Sequence, residues 1–227
     1  MRSFAILFSL SLQVYMSSQH GERAVAQDDV LSKVFSAPSD WKQWGGSNAR
    51  MNTPVGKNIP TQWSIGKEVA LKNRDPKKGH KPMGSLNIKW VVQLGSETFG
   101  NPVVAGGKVF VGTNNGAGYL DRYPPEIDLG VLLCFEEATG NFLWQHSNPK
   151  LESGRVHDWP NQGVCSTPVV DGNRLWYVSN RGEIVCLDTE GHYDNEDDGP
   201  EQDSVQLLKR DNLHKENADV VWRFDMM

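Results

Sequence analysis

Short apolar runs separated by Gly, Asn and Asp organise the chain from about residue 88 onward. Residues 101–116 read NPVVAGGKVFVGTNNG and residues 167–182 read TPVVDGNRLWYVSNRG, and the two align without gaps at an offset of 66. A further related piece follows each, VLLCFEEATG at 131–140 and EIVCLDTEG at 183–191, and each unit then closes on a Trp segment, FLWQH at 142–146 and VVWRFD at 220–225. The apolar positions are rich in Val, Leu, Phe, Tyr and Trp, which suit a pleated, half-buried strand. Each unit therefore predicts four short strands: Pro-Val-Val, then 108–113 or 174–179, then 132–136 or 184–188, then the Trp strand. Ala105-Gly106-Gly107 and Asp171-Gly172-Asn173 supply residues that accept positive φ, as a tight hairpin turn requires. Only residues 204–213 show even a weak helical period.

Self-similarity at this scale points to a repeat architecture, and antiparallel four-strand units in series predict an all-β fold of the β-propeller type. Cys134 and Cys186 fall at the same place in successive units, where a small buried thiol is expected. Residues 88–94 (IKWVVQL) read as a last strand without its own unit, of the kind that closes a ring from outside its blade. The expected organisation is an export signal at 1–26, a lead-in segment at 27–87, and an incomplete propeller at 88–227 with blades at about 100–146 and 166–225. A propeller holds four or more blades, so the chain reads as an N-terminal fragment of a longer ring.

The run 131–144, VLLCFEEATGNFLW, resembles the signature of PQQ-like (pyrroloquinoline quinone) repeats: an apolar strand, a small residue, an acidic residue, Thr-Gly, then Trp. The opening Asp40-Trp41-Lys42-Gln43-Trp44-Gly45-Gly46, followed by Asn58-Ile59-Pro60-Thr61-Gln62-Trp63, is similar to the lead-in of secreted bacterial proteins of that family. The resemblance spans roughly 40–225 and implies blades docked through tryptophans, here Trp90, Trp144 and Trp222, with Gly140 in a tight turn. The second unit departs from the pattern: Thr189-Glu190-Gly191 replaces Ala138-Thr139-Gly140, and an acidic insert precedes Val220. That insert reads as a solvated excursion rather than a calcium loop, because its carboxylates lack a fixed ligand register.

The composition is ordinary for a globular protein, and a net charge of −5 with no Lys/Arg cluster beyond Lys77–Lys78 argues against nucleic-acid binding. Arg2, the apolar run at 4–16 and Ala24-Val25-Ala26 fit a cleavable signal, placing the protein in the periplasm or outside the cell. That run is shorter than the roughly 20 residues that span a bilayer, so no membrane span is expected in the mature chain.

Two functional classes fit. One is a non-catalytic scaffold or binding module presenting propeller loops to a protein or saccharide. The other, implied by the resemblance, is part of a quinoprotein alcohol or sugar dehydrogenase using PQQ and calcium. The loops that would carry either are read at 113–130, 145–165 and 180–183, and offer His157, Asp158, Trp159, Asn180 and Arg181 as ligand-face candidates. No phosphate loop, nucleophile elbow or HExxH motif occurs, and no adjacent cysteine pair; the scaffold is the favoured reading and no catalytic residue is assigned. Trp159, beside Pro160, reads equally as a partner anchor or as a plug in the ring's centre. Trp159 and Arg181 are expected at one end of the blades, and the acidic insert at the other.

Overall fold

The computed structural model describes residues 40–54, 59–67, 75–199 and 215–227. The expected signal at 1–26 and the weakly helical 204–213 lie outside them. Among the described residues the protein is all-β, with strands β1 (Val103–Ala105), β2 (Lys108–Asn114), β3 (Leu129–Glu136), β4 (Phe142–Pro149), β5 (Val169–Asp171), β6 (Arg174–Val178), β7 (Glu183–Asp188) and β8 (Val220–Asp225). They form two four-stranded antiparallel sheets in sequence order, β1-β2-β3-β4 and β5-β6-β7-β8. No helix of the described residues is long and apolar enough to cross a membrane.

The turns explain the register. Gly106 and Gly107, both at positive φ, join the paired Ala105 and Lys108, and Gly172-Asn173 does the same between Asp171 and Arg174. Each sheet carries a bulge at the same place. Cys134 pairs with Trp144 and Phe135 with Phe142, leaving Leu143 as the extra residue; Cys186 pairs with Trp222 and Leu187 with Val220, leaving Val221. A bulge re-aims the side chain beside it, and in both sheets that side chain is the tryptophan.

The sheets pack face to face. Val103, Phe110, Leu132, Cys134 and Trp144 of the first sheet share one buried core with Val170, Leu175, Tyr177, Val185, Leu187 and Val220 of the second. At the start of the sheets the equivalent positions of the two units touch, with the Asn101 N–H donating to Thr167 Oγ1 at 2.9 Å. The far face of the first sheet is covered by the β2–β3 connection, whose Tyr119 stacks on Phe142 with ring centroids 4.7 Å apart and donates its hydroxyl to the Gln93 carbonyl at 2.6 Å. Burial pushes the Tyr119 hydroxyl well above the usual tyrosine range.

Residues 88–94 join neither sheet, and only Val91 forms a bridge there, to His80. One expectation needs correction. The loop expected from residue 145 begins at 150, because β4 runs on to Pro149 through Gln145, His146, Ser147 and Asn148, all fully buried. Polar side chains there hid a buried strand.

The lead-in meets the first strand of each sheet. Trp41 exchanges backbone hydrogen bonds with Val104 of β1 at 2.6 and 3.0 Å, and the Val170 N–H of β5 donates to the Lys42 carbonyl at 2.9 Å. At the outer edge, β4 is covered by residues 216–218, which pair with it in parallel: Gln145 N–H donates to the Glu216 carbonyl at 2.9 Å and Ala218 N–H to the Gln145 carbonyl at 3.1 Å. Covering an edge strand removes a site for unwanted pairing.

Candidate functional site

The β4–β5 connection (150–168) and the β6–β7 turn (179–182) meet at one end of the sheets, and this is where the ligand-face residues lie. Asp158 is buried and organises the loop. Its Oδ2 accepts from the Leu151 N–H at 2.9 Å and from Asn180 Nδ2 at 2.8 Å, and its other oxygen pairs with Lys150 Nζ. Lys150 in turn donates to the Trp159 carbonyl at 2.7 Å. Both oxygens of Asp158 thus accept from loop donors, and its carboxylate ties the loop together.

Asn180 has a counterpart 66 positions earlier, Asn114, and the two do the same work. Asn114 Oδ1 accepts from the Ser96 N–H at 3.1 Å, tying down the segment that follows Trp90, while Asn180 Nδ2 donates to the Pro149 carbonyl at 3.3 Å, tying down the segment that follows β4. The approach is close enough to need glycine: a Cβ on Gly130 would sit 1.9 Å from Asn180 Oδ1, and one on Gly95 would sit 2.1 Å from Asn114 Oδ1. Arg181 donates to the same Pro149 carbonyl at 3.3 Å and lies 3.6 Å from Glu183.

What remains open is a groove of about 660 Å³ whose wall includes Lys150, Glu152, Ser153, His157, Arg181 and Met227. Beside it Trp159 is 56% exposed, with the Arg155 guanidinium 5.7 Å from its ring centre. The lead-in around Trp41 adjoins the first strand of each sheet, β1 and β5. The acidic residues 194–198 follow the opposite end of β7, where Arg174 holds Asp188 and, at 2.7 Å, Asp198.

Behind the groove lies a polar interior that sequence reasoning missed. His146 Nδ1 contacts the Tyr177 hydroxyl, which also accepts from Asn148 Nδ2 at 2.9 Å. Burial, with Arg223 adding repulsion, holds His146 well below the usual histidine range, so it is a neutral ring. The only sequence signal was four polar residues, Gln145 to Asn148, following a strand core, which reads as a loop.

The calcium implied by the resemblance finds no ligand cluster: among the described residues no group of three His, Cys, Asp or Glu is placed to hold a metal ion, and Asp158 and Asn180 are spent on each other. The tryptophans are brought together with glycines instead. Trp90 donates its indole N–H to the Glu137 carbonyl at 2.8 Å and packs on Gly140; Trp144 donates to the Thr189 carbonyl at 3.2 Å and packs on Gly191. Trp222 lies in the open face of β8, 40% exposed. Compared with known proteins, the chain matches no family model and no curated protein sequence.

Proposed function

We propose that the chain is a non-catalytic scaffold built from PQQ-like propeller blades, acting outside the cytoplasm and presenting the β4–β5 and β6–β7 loops to a protein or saccharide. The observation that carries the reading is a repeated face. Val103, Phe110, Leu132, Cys134 and Trp144 of the first sheet pack on the second sheet. Their counterparts Val169, Trp176, Ile184, Cys186 and Trp222 form the second sheet's outer face, where Val169, Trp222 and the neighbouring Val178 and Phe224 stand exposed. A surface that repeats head to tail is a heterologous contact, which closes into a ring when the rotation allows, and its exposed apolar area marks it for a further sheet. Trp90, Trp144 and Trp222 are the docking residues of this arrangement, and Gly140 and Gly191 their seats.

The binding role rests on how the polar groups of the loop end are used: they hold the loops rigid, and leave the Trp159 ring and the groove edge for a partner. Titration with PQQ, with and without Ca²⁺, following tryptophan emission, tests it. No saturable change is expected; saturable, calcium-dependent quenching would replace the scaffold with the quinoprotein reading. In a screen against immobilised oligosaccharides and peptides, binding is expected to be lost in Trp159→Ala; retention of binding in that variant places the partner elsewhere.

A further inference from the structure

The net charge of −5 conceals a division. Residues 40–94 hold ten Lys and Arg against three Asp and Glu, whereas residues 95–227 hold ten against twenty-two. The basic segment also carries several exposed large apolar side chains, among them Trp63, Ile65 and Met83. Ser64 pairs with Leu86 and Lys67 with Met83, forming a small antiparallel ladder. Trp63 and Ile65 flank Ser64 on one side of its bridge, while Gly66 and Gly84, both at positive φ, turn the chain before the Lys67–Met83 bridge; Trp63, Ile65 and Met83 are 70%, 58% and 72% exposed. In the same segment Lys81 is exposed, and the Lys78 and Lys89 side chains are 71% and 60% exposed, with weak pairings to Asp75 at 3.8 Å and Glu137 at 3.6 Å.

We infer that this lead-in ladder is a docking surface for an anionic lipid bilayer, with Trp63, Ile65 and Met83 entering the interface and the lysines meeting phosphate headgroups. Basic residues gain from the negative surface potential of such a membrane over about a Debye length, and tryptophan favours the boundary between headgroup and acyl chain. The face differs in kind from the sheet-docking surface: it has no Trp-on-glycine seat, and two isolated bridges give it no rigid relief for a protein partner to match. A fluid surface asks for none. The acidic remainder of the chain turns the same ladder toward the membrane, because an anionic surface repels the other end. This inference is independent of the propeller reading and stands if the chain proves to be catalytic.

The test is co-sedimentation of the full chain with vesicles of phosphatidylcholine alone, and of phosphatidylcholine with a quarter phosphatidylglycerol. Binding is expected only to the anionic vesicles and is expected to weaken steeply between about 0.1 and about 0.5 M salt. Trp63→Ser is expected to weaken it by about tenfold, and Lys67→Gln by about fivefold. All variants keep residues 1–39, so any contribution of that segment is common to them. Because the substituted side chains are exposed, near-ultraviolet circular dichroism should stay unchanged, confirming an intact fold. Quenching of emission by bromolipids is expected in the wild type and reduced in Trp63→Phe. Equal binding to both vesicle types, unaltered binding by Trp63→Ser, or retention on polyglutamate with none on anionic vesicles overturns the proposal; the last outcome makes the ladder a site for an acidic protein.

Discussion

Trp144 donates its indole N–H across the boundary between the sheets to the carbonyl of Thr189, 3.2 Å away, while lying fully buried against Gly191. One side chain thus fills the inter-sheet core and satisfies a backbone acceptor on the neighbouring unit. Trp144→Ala should lower unfolding stability by about 3–5 kcal/mol, the usual cost of removing a large aromatic from a core. Trp144→Phe should recover most of the packing but leave the Thr189 acceptor unpaired. Trp222→Ala, at the exposed counterpart, should cost far less in the isolated chain. Denaturant unfolding of the three variants checks the ranking, and equal losses for Trp144→Ala and Trp222→Ala would contradict it.

The glycine beneath each tryptophan gives a sharper comparison. Gly140 has φ of 75°, and a Cβ there would lie 2.5 Å from the Trp90 ring; Gly106 has φ of 57° with nothing near the Cβ position. Both substitutions to Ala incur the left-handed strain of about 1–2 kcal/mol. Only Gly140→Ala adds overpacking of about 1–3 kcal/mol. Gly140→Ala should therefore be the more destabilising in parallel thermal melts.

The arrangement of strands was readable because apolar runs ended at Gly, Asn and Asp, and all eight strands fall within a few residues of those limits. The bulges beside Trp144 and Trp222 were not readable, because one extra residue in an apolar run leaves the pattern intact. Gln145–Asn148 was misread for the opposite reason: buried strands are recognised by apolar side chains, and this one is satisfied by Tyr177, Asn115 and Gly130 instead. At the site, Asp158 and Asn180 were picked out as polar loop residues, but their partnership depends on two loops meeting in space. The basic lead-in was hidden by summing charge over the whole chain.

Acid titration should show two opposed effects. Asp188 is buried, and desolvation raises its carboxyl to about 6 despite the Glu190 N–H and Arg174; Asp198 and Asp194 push in the same upward direction as burial. Asp219 beside it is raised for the same first reason. A carboxyl raised in the folded state binds more protons there, so stability is gained as pH falls from above 6 toward 4. His146 is lowered, so its contribution is complete above about 6.5 and is lost as pH falls below that value. Asp188→Asn keeps an acceptor for Glu190 but cannot titrate. In that variant the loss of stability between pH 7 and pH 5, measured by urea unfolding, should be steeper than in the wild type. An unchanged slope would rule out Asp188 as the titrating group.

Asp158 should act on loop order more than on global stability. Asp158→Ala removes the carboxylate that accepts from the Leu151 N–H and Asn180 and pairs with Lys150, at a cost of about 1–3 kcal/mol. Most of that should appear as opening of the β4–β5 loop, where Arg155 is exposed to trypsin. Limited proteolysis should cut the variant at Arg155 while the wild type resists, with the strand core intact in both.

The outer edge of β4 is held by chain segments from both sides of it in sequence. Lys77 accepts the Phe142 N–H on its carbonyl at 2.9 Å and pairs its ammonium with Glu216 at 2.7 Å, while Glu216 accepts the Gln145 N–H on its own carbonyl. The side chains are part-exposed, so the ion pair itself should be worth no more than about 1 kcal/mol. Its importance lies in position, because it clips two strips of backbone onto one edge. Glu216→Lys should leave the unfolding midpoint nearly unchanged yet speed hydrogen exchange at Phe142 and Gln145. Combining it with Lys77→Glu, which restores opposite charges in exchanged places, should return those amides to slow exchange. Recovery in the double variant separates the pairing from any effect of either residue alone, and its absence would mean that backbone pairing alone holds the edge.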